Sequence, residues 1–215
     1  MELYLMKRPL TLASAMVLSS LTALSFAEDT TETSEQTAKS MEFVVAAGLT
    51  FGGDDIFDVE FTDGSSESIE AGGLFNAKAG IQYYFSDAPA SLLGTVGYHF
   101  DSVSAQNGDA TFSRFPIDLT AFYHFEEHRI GLGGSLHTGT ELDIDFDPSV
   151  LGFGATNGTI DFDDALGLVL EYGYRFKNSG ATIAVRAVQI DYKASTANAA
   201  KISGDHIGLY AYLNF

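Results

Sequence analysis

The chain has 215 residues, no Cys, no Trp and a formal net charge of −18. Zero cysteine excludes a disulfide framework and thiol chemistry. So large a negative charge repels phosphate and excludes nucleic acid as a partner. The 22 Gly, 10 Tyr and 17 Phe, set against only 4 Pro, point to an all-β protein with close-packed interior positions and aromatic girdles.

Residues 1–27 read as a secretory signal. Lys7 and Arg8 form a basic region, residues 10–24 are apolar, and Ser25-Phe26-Ala27 is a small-x-small cleavage site before Glu28. Residues 28–40 are polar, Thr- and Glu-rich and unpatterned, which predicts a disordered leader. Residues 41–215 are the predicted barrel domain. Past the signal, no apolar run reaches the roughly 18 residues of a membrane helix.

Eight strands are predicted from period-2 alternation. Met41–Phe51 sets Phe43, Val45, Leu49 and Phe51 against Val44, Ala46, Gly48 and Thr50. Residues 73–85 put Phe75, Ile81, Tyr83 and Phe85 on one face and Asn76, Lys78, Gln82 and Tyr84 on the other. Residues 91–101 oppose Leu92, Val96, Tyr98 and Phe100 to Thr95, His99 and Asp101. Residues 113–125 oppose Phe115, Ile117, Leu119 and Tyr123 to Arg114, Asp118 and His124. After the break Glu126-Glu127 the parity reverses: Ile130, Leu132 and Leu136 are apolar, and Arg129, Ser135, His137 and Glu141 share the other face. Residues 165–176 carry Leu166, Leu168, Leu170, Tyr172 and Tyr174 against Glu171 and Arg175. Residues 181–192 are the least regular: with Arg186 inside, Gln189 and Asp191 fall outside, which calls for headgroup contact or a bulge. Residues 206–215 put Ile207, Leu209, Ala211, Leu213 and Phe215 outward.

The polar faces hold Gly, Ser, His and isolated charges of both signs. A soluble sandwich would show Lys, Glu and Thr to water; this composition suits the inside of a narrow barrel whose apolar outside meets lipid. The runs reach the roughly 9–11 tilted residues a membrane strand needs. Links at residues 86–90, 126–127 and 177–180 are short turns. Those at residues 52–72, 102–110, 142–164 and 193–205 are long. Short periplasmic turns facing long external loops are the asymmetry of outer-membrane barrels.

The signal, the eight alternating strands and the terminal aromatic resemble small outer-membrane barrels of the OmpA/OmpX and opacity-protein type. His206, Gly208, Leu213 and the carboxy-terminal Phe215 resemble the assembly signal read by the barrel-insertion machinery, with Ala211 small where that signal often has an aromatic. The resemblance implies an eight-stranded antiparallel up-and-down transmembrane β-barrel in the outer membrane of a Gram-negative bacterium, with outer-membrane lipid and lipopolysaccharide as surroundings. It does not fix an activity.

Three constellations could carry function. The first is a lumen ion-pair network of Lys78, His99, Asp101, Arg114, Asp118, His124, Arg129, His137, Glu141, Glu171, Arg175 and Arg186. Eight strands leave room for side chains only, so the expectation is a plugged interior, with a narrow gated pore as the alternative. The second is Ser135, His137 and Glu141 on one strand face, a Ser–His–acid set suggesting lipid A hydrolysis. The third is the acidic loops: Asp54, Asp55, Asp58, Glu60, Asp63, Glu67 and Glu70, then Asp143, Asp145, Asp147, Asp161, Asp163 and Asp164. Oxygen ligands at this density attract divalent cations, but Asp143-x-Asp145-x-Asp147 lacks the Gly and distant Glu of an EF-hand loop. Solvated charge is the expectation there, and the lead functional reading is a non-enzymatic membrane or surface-interaction role without a cofactor.

Overall fold

The computed structural model describes residues 40–60, 66–105, 108–146, 157–177, 179–196 and 199–215. The predicted signal and nearly all of the leader, with Asp63 and Asp147, lie outside the described residues. Every named element is a strand: β1 (Met41–Phe51), β2 (Asp55–Glu60), β3 (Ser66–Glu70), β4 (Leu74–Tyr84), β5 (Ala90–Ala105), β6 (Gly108–Phe125) and β7 (His128–Phe146). The rest are β8 (Gly158–Asp161), β9 (Ala165–Arg175), β10 (Ala181–Gln189), β11 (Asp191–Lys193), β12 (Lys201–Ser203) and β13 (His206–Asn214).

Eight of these close on themselves. The antiparallel order β6-β5-β4-β1-β13-β10-β9-β7 is completed by pairing of β7 with β6, so the barrel has no free edge. Neighbours in the barrel are neighbours in the chain, apart from the closing β1–β13 pair. This is the up-and-down topology that alternation and link lengths predict.

The faces divide as expected. Leu119, Leu132, Leu166, Leu168 and Leu209 are each more than half exposed, pointing away from the barrel axis. Tyr83–Phe85 and Tyr174–Phe176 ring pairs sit at the turn end, at 5.3 and 5.2 Å. Phe75–Phe100 and Tyr98–Phe115 lie higher on the wall, at 5.8 and 5.2 Å. On β10, Ile183 and Val185 face out and Arg186 faces in, and the same parity runs on through Gln189 to Asp191 without a bulge.

Glycines make the interior possible. Gly48 stands opposite Tyr210, and a Cβ there would lie 2.5 Å from the Tyr210 ring. Gly131 stands opposite Phe122, where a Cβ would meet that ring at 2.4 Å. At both positions an inward ring lies flat over a partner residue that has no side chain.

The described parts of the long links are largely strand. Strand pairing of β5 with β6 continues to Ala105↔Gly108, and β6 with β7 to Gly108↔Phe146. β2 and β3 form a hairpin inside the first link, β8 pairs the upper part of β7, and β11 pairs β12 inside the last. These ribbons fold over the barrel mouth as a crown with its own apolar core. Ile69, Phe112, Leu142, Val188, Ile190 and Tyr192 are all buried there. Phe112 meets Phe162 and Tyr192 edge-on, with centroids at 5.4 and 5.5 Å.

One predicted side is reversed. Register shifts between Ser113 and Phe115, opposite Gly139, whose φ of 55° lies in the left-handed region that glycine adopts freely. The bulge resets parity on β7. Thr140 and Leu142 point in, while Glu141 faces outward rather than into the lumen with Ser135 and His137.

Candidate functional site: the barrel interior

Polar side chains fill the interior in three levels. The middle level is a five-residue ionic network. Asp118 Oδ2 accepts from Lys78 Nζ at 2.9 Å, Arg186 Nη2 at 2.9 Å and Thr95 Oγ1 at 3.1 Å. Glu171 accepts from Arg129 Nη2 at 2.7 Å, Tyr212 Oη at 2.6 Å and Arg186 Nη1 at 3.3 Å. Arg186 thus bridges the two carboxylates. Alternation turns these five residues, from β4, β6, β7, β9 and β10, to the inner wall, and their side chains converge.

Aromatic faces complete the shell. The Arg129 guanidinium lies 4.3 Å from the Phe122 centroid and 4.6 Å from that of Tyr212. Lys78 Nζ sits 4.5 Å from the Tyr210 centroid. Desolvating each ion costs several kcal/mol, so the network holds only because every charge meets an opposite charge or a ring. None of the five side chains is more than 3% exposed. They form a plug.

Below, nearer the turns, a hydrogen-bond chain crosses the mouth. Arg175 donates to Tyr84 Oη at 2.6 Å and to Glu42 at 3.2 Å. Asn214 donates to Glu42 at 2.8 Å and to Gln82 at 3.0 Å. Gln82 donates to Ser91 Oγ at 2.7 Å, and Ser91 Oγ meets His124 Nε2 at 2.8 Å. Arg175 and His124, both expected in the lumen network, lie at this end. Glu42, Ser91 and Asn214 were not in the expected network, although Glu42 follows from the parity of Phe43 and Ser91 from that of Leu92.

Above the plug lies a cluster of one arginine and three histidines. Arg114 is fully buried and donates to Gly73 O at 2.9 Å and to His99 Nε2 at 2.9 Å. Thr50 Oγ1 reaches the same imidazole nitrogen at 2.8 Å. His99 packs against His206 at 5.2 Å and His137 at 6.4 Å between centroids. His137 Nδ1 meets Tyr192 Oη at 2.6 Å, and His206 Nδ1 meets Gly204 O at 2.8 Å. His206, expected only within the assembly signal, is therefore also an interior residue. Asp101 points inward as expected but joins no lumen ion pair. Its Oδ2 accepts the Glu70 amide at 2.9 Å, at the foot of the β2–β3 hairpin.

The Ser–His–acid set does not assemble. Ser135 stands opposite Asp118 in the register, His137 engages Tyr192, and Glu141 is on the other face of the wall.

Most described acidic side chains of the links are exposed, and several also accept specific hydrogen bonds. Asp54 accepts the Ser203 amide at 2.8 Å, joining the first hairpin to the last. Glu70 accepts the Gly52 amide at 2.8 Å, and Asp205 accepts that of Ile190 at 2.8 Å. Asp163 accepts from Ser195 at 2.8 Å and Asp143 from Thr159 at 2.6 Å. These carboxylates satisfy crown donors that no ladder pairs. Among the described residues, no three His, Asp or Glu side chains converge in a way that could hold a metal ion.

No protein-family model and no curated protein matches the chain. Among solved structures it is similar to Neisserial surface protein A, at 13% identity and a TM-score of 0.44, over 82% of this chain and 97% of that one. It is similar to Ail, the attachment invasion locus protein of Yersinia pestis, at 11% identity and a TM-score of 0.43, over 81% and 97%. It is also similar to OmpT, an outer membrane protein of Vibrio cholerae, at 11% identity and a TM-score of 0.30, over 83% of this chain and 53% of that one.

Proposed function

We propose that the chain is an integral outer-membrane protein whose barrel is an anchor closed to solutes and whose crown is the working surface, with a structural or surface-interaction role and no catalytic centre. The observation that carries this reading is the inversion of polarity: leucines exposed on the outer wall, ion pairs sealed inside. In water that arrangement wastes the hydrophobic effect; in hydrocarbon it satisfies both faces. The short-turn end, where both barrel termini lie, faces the periplasm, and the crown faces outward. The final strand, with His206, Gly208, Leu213 and Phe215, is the segment offered to the insertion machinery.

A narrow pore is the second reading, favoured only by the charge of the lumen. The ionic plug and the Glu42–Arg175 layer both stand against it. Expression in a Gram-negative host, followed by fractionation and single-channel recording of the purified protein, tests both. The expected result is protein in the outer-membrane pellet that resists alkaline extraction, and bilayers without steady openings. Recovery in the soluble periplasmic fraction overturns the membrane reading; reproducible conductance steps overturn the plug and favour the pore.

A further inference from the structure

The cluster above the plug does more than fill space. Arginine remains charged and only donates. Its bond to His99 Nε2 therefore requires that nitrogen to be bare, with Thr50 Oγ1 as a second donor and the ring proton on Nδ1. His99 Nδ1 has no hydrogen-bond partner among the described residues. A proton arriving on Nε2 would turn the acceptor into a donor, break the bond to Arg114 and set a second cation against it, while the Thr50 hydroxyl would turn from donor to acceptor.

Among the described residues the nearest carboxylates, Asp118, Asp101 and, beyond Asp101, Glu70 on β3, all hold other partners. From β6 come Arg114 and Asp118, from β4 Lys78, from β7 His137, from β13 His206 and Tyr210, from β11 Tyr192, and on β5 itself Asp101. Asp118 is engaged by Lys78 and Arg186, and Asp101 by the Glu70 amide.

The same groups hold the crown down. Arg114 ties Gly73, where the β2–β3 hairpin returns into the wall. His137 ties Tyr192 on β11, and His206 ties Gly204 at the foot of β12. We propose that this cluster is an acid-sensitive latch: protonation of His99 Nε2 displaces Arg114 and releases the foot of the β2–β3 hairpin at Gly73, opening that side of the crown while the ionic plug stays shut.

Hydrogen exchange of the full-length mature protein in lipid nanodiscs, from about pH 7 to about pH 4, tests the latch against H99Q. Glutamine keeps an acceptor for Arg114 but cannot take the proton. Corrected for intrinsic rates, amides at residues 71–73 of the native chain should exchange faster in acid by roughly tenfold, the scale of one lost charge-assisted bond. In H99Q that gain should fall below about twofold, leaving only the release of crown carboxylates such as Asp54 and Asp205. An equal acid response in both proteins overturns the latch. So does a nitrogen NMR spectrum of the native chain at neutral pH showing His99 protonated on Nε2, a measurement that does not depend on any variant folding.

Discussion

Replacing Glu171 with glutamine removes one charge and almost no volume from the centre of the plug. In the native chain its carboxylate is fully buried and takes three donors, from Arg129 at 2.7 Å, Tyr212 at 2.6 Å and Arg186 at 3.3 Å. Each charge-assisted bond contributes about 1.5–3 kcal/mol, which would sum to about 4.5–9 kcal/mol if independent. They are not independent, because Arg186 keeps its second anchor on Asp118 at 2.9 Å. Removing one partner of a buried ion pair costs about 3–5 kcal/mol, and that range is the expectation for E171Q. With a urea m value of about 2 kcal/mol per molar, the midpoint should fall by about 1.5–2.5 M. Reversible unfolding in lipid vesicles reads it directly. The double variant R129M/E171Q, which takes away one charge of each sign, should recover part of the loss. A midpoint shift for E171Q of less than about 0.5 M, or a double variant no better than the single, would refute the account of the plug as a charge-balanced unit.

Further outcomes follow from other parts of the wall. Leu168→Lys places a cation on the outer face of the barrel, where the native side chain is 64% exposed, and should cost about 2–4 kcal/mol in a bilayer if that level is near the midplane; an unchanged urea midpoint in vesicles would deny that this face meets hydrocarbon. Gly80→Ala would bring a Cβ to 1.9 Å from the Gly94 carbonyl oxygen, and should prevent barrel closure, read as loss of folded protein by circular dichroism and protease resistance. Cysteine at Glu141 should react with a water-soluble maleimide in intact membranes, whereas cysteine at Thr140, which is 2% exposed, should not; the reverse order would remove the bulge. Tyr192→Phe deletes the bond to His137 and should destabilise the protein by about 1 kcal/mol, measured by urea unfolding.

Much of the wall was legible because alternation has one parity per strand, and that parity decides which side chains share the interior. Lys78, Asp118, Arg129, Glu171 and Arg186 could be grouped without knowing any distance. Three things were hidden for physical reasons. Counting by twos carries no sign of a bulge, so Glu141 was placed with His137 when Gly139 had already turned it outward. The crown strands look like loops because their inward residues, such as Val103, Ala110 and Leu142, alternate with Ser and Asp rather than with lipid-facing leucines. The hydrogen bonds of Asp54, Glu70 and Asp205 were hidden because their partners are backbone amides, and any residue supplies an amide.

The left-handed glycine in β7 also decouples two histories. Below it, inward and outward positions are locked by the lumen, and a one-residue insertion would exchange them all. Above it, phase has already been reset once, so the upper ribbon can lengthen, shorten or re-phase without exchanging the two faces of the wall below. A lineage could remodel what it shows to its surroundings while inheriting the membrane anchor unchanged.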